Sequence, residues 1–295
     1  MGGNEHRSHK QQCPNLVQSQ HADNSSLFTV RRYGAWVNGT LRNEPLDANP
    51  NYLLSLVFGT RFEFRRPPLT SWNRRMPYID FTTPLHKRTT RDYVGRVMEA
   101  DKAECAEVAI QWGKDYWDGE RRFGYGGMKY DGRWRPVAEA MVKHYGLKPD
   151  ARILDIGCGK GFLLYEFTQV LPECTVVGLD ISQYAAENCK PELKGKIDVG
   201  HAKQLPYADK SFDLVYTINT FHNLLNYELW SALKEVERVG RGGKYVVVES
   251  YRTEREKMNL LYWQLTCRSF YAVDEWEWFF KQAGYTGDYS FIFFE

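Results

Sequence analysis

Paired cysteines, long apolar runs and net charge are all scarce in this chain. Its six cysteines (Cys13, Cys105, Cys158, Cys174, Cys189 and Cys267) stand far apart, with no C-x-x-C pair. That spacing argues against zinc and against a disulfide framework, and for a reducing compartment. His6, His9 and His21 have no carboxylate or cysteine cluster beside them, so no metal is expected. The longest apolar run, Tyr52 to Phe58, is far shorter than the ~20 residues that cross a bilayer. "MGGNEHRSHKQQ" leads to no apolar core, so no secretory leader is expected, and Glu5, Asp23, Glu44 and Asp47 weaken an Arg-rich transit peptide. The expected location is the cytoplasm, with no membrane partner.

The formal net charge of +2 over 295 residues hides an asymmetry. Residues 1–75 carry ten Lys/Arg against five Asp/Glu, or +5, and the remaining 220 carry 29 against 32, or −3. The arginines of the first part are scattered and form no helical stripe, so an irregular basic extension is expected there and not a nucleic-acid surface. Pro45, Pro50, Pro67 and Pro68 also break that part, and it shows no period of 2 or 3.6. Composition changes at Met76. The working protein is expected to start near there, with residues 76–135 forming a helix plus a glycine-aromatic segment and residues 136–295 a second unit.

Thr89 with Asp92 fits a capping box for a helix reaching about Tyr116. Val94, Val97, Met98, Cys105, Val108, Ala109, Trp112 and Tyr116 fall near one face of it. Next comes "RFGYGGMKYDGRW" (122–134), whose glycines would melt a helix while its aromatics are too many for a plain linker. Pro136 suits the first turn of a helix that ends at Tyr145 before Gly146. From Ala151 strands and helices alternate: "RILDI", "TVVGLD", "KIDVG", "FDLVYTI", "KYVVVES" and "YSFIFF" read as strands. Helical stretches lie between them, the last two at 254–268 and 274–283. This alternation predicts an α/β fold with a doubly wound, mostly parallel sheet.

"LDIGCGKGF" puts Asp155 at the end of the first strand and Gly157, Gly159 and Gly161 in the turn. A ligand approaches backbone most closely where no Cβ intervenes, and the next helix offers free N–H groups. Asp180, ending the second strand, can accept both hydroxyl protons of a ribose. Three readings compete here. A dinucleotide site wants G-x-G-x-x-G where this chain has G-x-G-x-G. A P-loop needs G-K-[ST], which is absent. The third reading is a glycine turn without a ligand.

The stretch 151–250 resembles the class I S-adenosylmethionine-dependent methyltransferases, in the broad subgroup with quinone- and small-metabolite-modifying members. "LDIGCGKG" resembles that family's first motif, "GHAKQLPYADKSFDLV" its G-D-A-x-x-L-P-F-x-D-x-S-F-D motif, and "LKEVERVGRGGKYVVVE" the approach to its fifth strand. The resemblance implies a seven-stranded, Rossmann-like sheet and S-adenosyl-L-methionine as cofactor. It implies Asp180 as the ribose-holding acid, with Asp155, the three glycines, Ile181 and Asn219 around the cofactor. His201 stands where the family often has an adenine-contacting Asp. Either its neutral imidazole or the backbone of Ala202 and Lys203 would serve there.

Methyl transfer demands alignment above all, worth roughly 7–11 kcal/mol, while a general base adds about 10²–10⁴-fold. His222, just past the fourth strand, is the candidate base, against a packing role in the same loop. Arg252 is a candidate for gripping a carboxylate or phosphate of the acceptor, against a role at a solvated helix start. Tyr125 and Tyr130 would cover the sulfonium or stack on substrate if segment 122–134 is a hinged lid; otherwise it is an ordered, packed loop. Tyr262, Trp263, Trp276 and Trp278 are candidates for an acceptor wall, for core, or for the interface of a homodimer. His86 and His144 read as surface or interface residues. The expected activity is methylation, at oxygen, of a small acidic or sugar-like acceptor, with no nucleic-acid partner. A methyltransferase acting on RNA or protein and a non-catalytic cofactor-binding partner subunit are the alternatives.

Overall fold

The computed structural model describes residues 76–87 and 90–295. The basic extension over 1–75 and the cap at Thr89 lie outside the described residues. Four short helices precede the sheet: α1 (Thr83–His86), α2 (Tyr93–Met98), α3 (Lys102–Ala109) and α4 (Lys114–Asp118). The single helix expected from about 89 to 116 is therefore broken in two places. Asp101 leaves helical geometry so that its carboxylate can accept from the N–H groups of Ala103 and Glu104, an N-cap inside the apolar pattern. Gly113 then starts a new turn after Trp112, whose φ of 52° is left-handed.

Helix α5 (Arg135–Tyr145) carries Pro136 in its first turn and is capped by Gly146, whose φ of 58° is left-handed. The alternating part follows: β1 (Arg152–Ile156), α6 (Phe162–Val170), β2 (Thr175–Asp180), α7 (Gln183–Glu187), β3 (Ile197–Val199), β4 (Phe212–Ile218), α8 (Asn226–Val239), β5 (Gly240–Glu249), α9 (Glu254–Trp263), α10 (Val273–Ala283) and β6 (Asp288–Ile292). The sheet order is β3-β2-β1-β4-β5-β6, and every pair is parallel. This is the expected doubly wound α/β architecture, with six strands among the described residues instead of seven. After β5 the chain forms two helices and a single further strand. The outer edge of β6 is met by an isolated parallel bridge between Tyr78 and Tyr289.

Strand alternation sorts the core onto the two faces of the sheet. Leu154, Ile156, Val246 and Val248 pack with α8 and α10, including the fully buried Trp276. Ile153, Tyr216, Tyr245 and Val247 pack with α5, α6 and Leu260 of α9. Both faces are covered, which is why the strands read as continuous apolar runs. Strand order reverses between β1 and β4, and in open α/β sheets ligands bind beyond the carboxyl ends of the strands at such a point. No helix among the described residues is long and apolar enough to cross a membrane.

Candidate active site

Two chambers open at this switch point. The first, of about 490 Å³, is lined by Trp112, Trp117, Gly157, Asp180, Ile181, His201, Ala202 and Thr220 among others. The second, of about 410 Å³, includes His86, Arg91, Arg96, Arg121, His222, Glu249 and Trp263. Tyr116, Tyr125, Asn219, Asn223 and Thr266 line both, so the two spaces share a wall.

The glycine turn behaves differently from the expectation of open backbone. Gly157, Gly159 and Gly161 all have left-handed φ (81°, 54° and 75°). A Cβ on Gly157 would fall 2.0 Å from Thr220 Oγ1, one on Gly159 2.9 Å from the Trp117 ring, and one on Gly161 2.4 Å from Leu193. The glycines are required by turn shape and by protein packing, and only Gly157 lines the first chamber. Asp155 lines neither chamber. It is buried at the end of β1, where burial pushes its pKa well up, opposed by the neighbouring Tyr216 phenol.

Asp180 accepts from Gly159 N at 2.7 Å and from Ser182 N at 2.8 Å, tying the turn to the start of α7. A carboxylate has about four lone-pair sites, so capacity for further donors remains. Asn219 has φ 59°, and its Oδ1 is buried without a hydrogen-bond partner. This acceptor belongs to a residue on the shared wall, and a ligand that brings an N–H or O–H would satisfy it. His201 lines the first chamber, and burial lowers its pKa. Its Nδ1 accepts from Lys203 N at 3.1 Å, and the Lys203 ammonium reaches Glu228 at 3.0 Å. The backbone N–H expected of Lys203 is thus already given to His201, and Lys203 is not on the lining of the chamber, whereas His201, Ala202 and Glu228 are.

The glycine-aromatic segment is ordered against this site. Tyr125 stacks on Trp117 with centroids 5.3 Å apart, and its backbone N–H donates to Tyr116 O at 2.8 Å. The Trp117 indole donates to Ser182 Oγ at 2.8 Å. Lys160, only 6 % exposed and inside the glycine turn, holds both Asp118 carboxylate oxygens at 2.6 Å and Met128 O at 3.1 Å. Tyr130 contributes to neither chamber: its hydroxyl donates to Glu166 at 2.7 Å and its ring packs on Phe162 and Tyr165. That buried carboxylate needs a donor, and supplying one withdraws Tyr130 from any substrate role.

Arg252 is withdrawn in the same way. It binds Glu256 and Glu295 and rests over Phe293 at 4.0 Å, fastening the end of the chain to the start of α9. His222 does face the second chamber, at 2 % exposure, but burial lowers its pKa to about 3. Its Nε2 lies 3.4 Å from Glu249 Oε2, and its Nδ1 accepts from Glu249 N at 3.4 Å. Glu249 was absent from the sequence-derived candidates. It ends β5 as Asp180 ends β2, with Asp155 one residue before the end of β1, and that shared placement was the signal available. Burial raises its pKa to about 8, against a hydrogen bond from Gln264. Its Oε2 has no hydrogen bond. Burying two charges costs more than a 3.4 Å ion pair returns, so the pair stands as a neutral imidazole beside a protonated carboxyl near neutral pH. Trp276 fixes the strand end by donating to Glu249 O at 3.0 Å.

Of the aromatic candidates, Trp263 lines the second chamber, Trp276 is core, and Trp278 is exposed. His86 also faces that chamber, and its Nε2 is buried without a partner.

Comparison with known proteins agrees with this geometry. Residues 154–248 match the family model of a methyltransferase domain. The chain is 33 % identical over 119 residues to a demethylmenaquinone methyltransferase of Roseiflexus sp. (strain RS-1), covering 39 % of this chain and 48 % of that protein. It is 32 % identical over 145 residues to an Arabidopsis thaliana tRNA (carboxymethyluridine(34)-5-O)-methyltransferase, covering 49 % of this chain and 34 % of that one. The chain spans about half the length of the first relatives it matches. Among solved structures, the YcgJ protein of Bacillus subtilis is similar at a TM-score of 0.41 and 24 % identity, over 50 % of this chain and 66 % of that one. Residues 154–248 are a methyltransferase domain of the class I, S-adenosylmethionine-dependent family.

Proposed function

We propose that this chain binds S-adenosyl-L-methionine in the first chamber and transfers its methyl group to an oxygen of a small acidic acceptor in the second. The observation that carries the reading is the wall the chambers share, with the buried His222–Glu249 pair lining the acceptor side. The first chamber suits the cofactor by its donor set. Asp180 has lone pairs left for hydroxyl donors, Asn219 Oδ1 lacks a partner, and Ile181, His201 and Ala202 form an apolar-to-polar flank. Gly157 and the turn of Gly159 and Gly161 shape the floor. Tyr125 and Trp117 cover it from the segment before α5 and exclude water.

When bound, the cofactor supplies an electrophilic methyl group, and its transfer to an acceptor oxygen leaves the neutral thioether. The chain's own task is to align the acceptor and to accept the proton its hydroxyl loses. The most efficient base has a pKa near the working pH. Glu249, at about 8, meets that condition, and His222, at about 3, does not. The base role expected of His222 therefore passes to Glu249, with His222 as its positioning neighbour. Asn219 and Tyr125 stand between the two spaces and hold the reacting groups in register.

The test uses methyl-labelled S-adenosylmethionine, the purified protein and a cell extract separated by molecular size. Label in the small-molecule fraction supports the reading. Label confined to macromolecules sinks the small acceptor, and cofactor binding with no label anywhere leaves a non-catalytic subunit.

A further inference from the structure

Three guanidinium groups gather around one indole. The Cζ atoms of Arg91, Arg96 and Arg121 lie 5.5, 5.4 and 5.2 Å from the Trp263 ring centroid, and Arg91 is also 5.0 Å from Phe294. All three line the second chamber. Of the other nine described arginines, Arg122, Arg133, Arg135, Arg238, Arg241 and Arg252 each hold a carboxylate, while Arg152, Arg255 and Arg268 do not, and none of those three is gathered with a second arginine on one ring. Among the described residues no carboxylate lies within ion-pair distance of Arg91, Arg96 or Arg121. The Nε atoms of Arg91 and Arg96 are buried with no hydrogen-bond partner. Backbone holds two of the three, Arg96 donating to Arg121 O at 2.7 Å and Arg121 to Gly124 O, and Arg91 is hydrogen-bonded to the Tyr93 hydroxyl.

Like charges this close repel, and a cleft of one sign raises the local concentration of the opposite ion. An indole face attracts each cation and pre-shapes the group, but it neutralises none of them. The remaining charged lining adds Lys129 and the Arg133–Asp131 pair, and the pKa of the one other carboxylate, Glu249, is raised by burial to about 8 even against the hydrogen bond from Gln264 and the charge of Arg91. The chamber is thus a cationic space with unfilled planar donors, the arrangement that binds carboxylate or phosphate oxygens in pairs.

Resting on the function proposed above, we infer that Arg91, Arg96 and Arg121 form a seat for a dianionic group carried by the acceptor, a phosphate monoester or a dicarboxylate, with the hydroxyl to be methylated turned toward Glu249. Selectivity then comes from the Trp263 end of the chamber, and the transferred methyl reads nothing of the acceptor's charge.

The experiment is calorimetric titration of the full chain with orthophosphate, with succinate and with S-adenosylhomocysteine, in wild type and in Arg96→Gln and Arg121→Gln. At least one dianion should bind wild type, and each substitution should weaken it about tenfold or more, because a charge-assisted hydrogen bond is lost. The tighter of the two identifies the headgroup class. An Arg241→Gln control, which removes an arginine paired with Asp213, should match wild type. The inference is overturned if neither dianion binds, or if both variants bind within twofold of wild type. Arg121→Gln, in an exposed turn, carries the test should Arg96→Gln lower the melting temperature. S-adenosylhomocysteine failing to bind while a dianion still does would sink the cofactor reading and leave the seat standing.

Discussion

Replacing Glu249 by Gln keeps the shape of a buried side chain and removes its titration, which makes the pH dependence of stability the direct readout. The folded carboxyl titrates at about 8 and an ordinary one at 4.5, so across that window the folded chain holds a proton the unfolded chain has lost. Stability falls as pH rises through that window. His222 works in the opposite sense. It stays neutral in the fold down to about 3 while the unfolded side chain takes a proton below 6.5, so its contribution is lost as pH falls through that range. Each slope is about 1.4 kcal/mol per pH unit. They cancel between about 4.5 and 6.5 and leave Glu249 alone from 6.5 to 8, a span of 1.5 in pH. Wild type should therefore lose about 2 kcal/mol relative to Glu249→Gln across that interval, with all other titrations common to both. Urea unfolding followed by tryptophan fluorescence at four pH values between 6.5 and 8 measures it. Parallel stability curves for the two proteins would refute both the protonated carboxyl and the base built on it.

Turnover should show the same group from the other side: kcat/KM of wild type rises with pH through about 8, where Glu249 ionises, and Glu249→Gln lowers kcat by about 10²–10⁴-fold and flattens the profile. Arg252→Ala should leave the acceptor KM unchanged and cost about 1–2 kcal/mol in thermal unfolding, because Glu256 loses its partner; a raised KM with unchanged stability would restore the substrate role. Gly157→Ala should cost about 3 kcal/mol, from a left-handed φ and a Cβ driven into Thr220, whereas Gly195→Ala, with φ 75° and open space, should cost about 1 kcal/mol. Equal melting temperatures for the two alanine variants would contradict the packing account of the turn.

The strands and the three long helices α5, α8 and α10 were legible because each depends on a local period and a local stop signal. "RILDI", "TVVGLD" and "FDLVYTI" match β1, β2 and β4 residue for residue, and Gly146 and Gly284 end their helices with left-handed φ. The helix expected before the sheet failed for an instructive reason. Of the apolar stripe expected there, Cys105 and Ala109 are core, Trp112 and Tyr116 line the first chamber, and Val94 and Met98 are exposed, so one period ran through three different surroundings. Site residues divided along the same line. Asp180, His201 and Asn219 follow strand ends, whose position the topology dictates. Arg252 and Tyr130 follow from chemistry alone, and each had a buried carboxylate within reach that spacing could not reveal.

The same distinction explains the glycine-aromatic segment, whose composition fits a hinge as readily as a tight turn. Gly126, Gly127 and Gly132 have φ of 69°, 99° and 76°, so each is needed for the path of the loop itself. Tyr125 N, Gly127 N and Met128 N are hydrogen-bonded to the carbonyls of Tyr116 and Trp117, and Asp118 and Met128 O take the Lys160 ammonium. Segment and glycine turn are therefore one construction, in which Lys160 reaches out of the turn and Trp117 settles onto Gly159 from above. Tyr125 keeps 42 % of its surface exposed and lines both chambers. What looked like bendable sequence is a fitted loop, with Tyr125 stacked on Trp117 beside the first chamber and Tyr130 tied to Glu166 outside it.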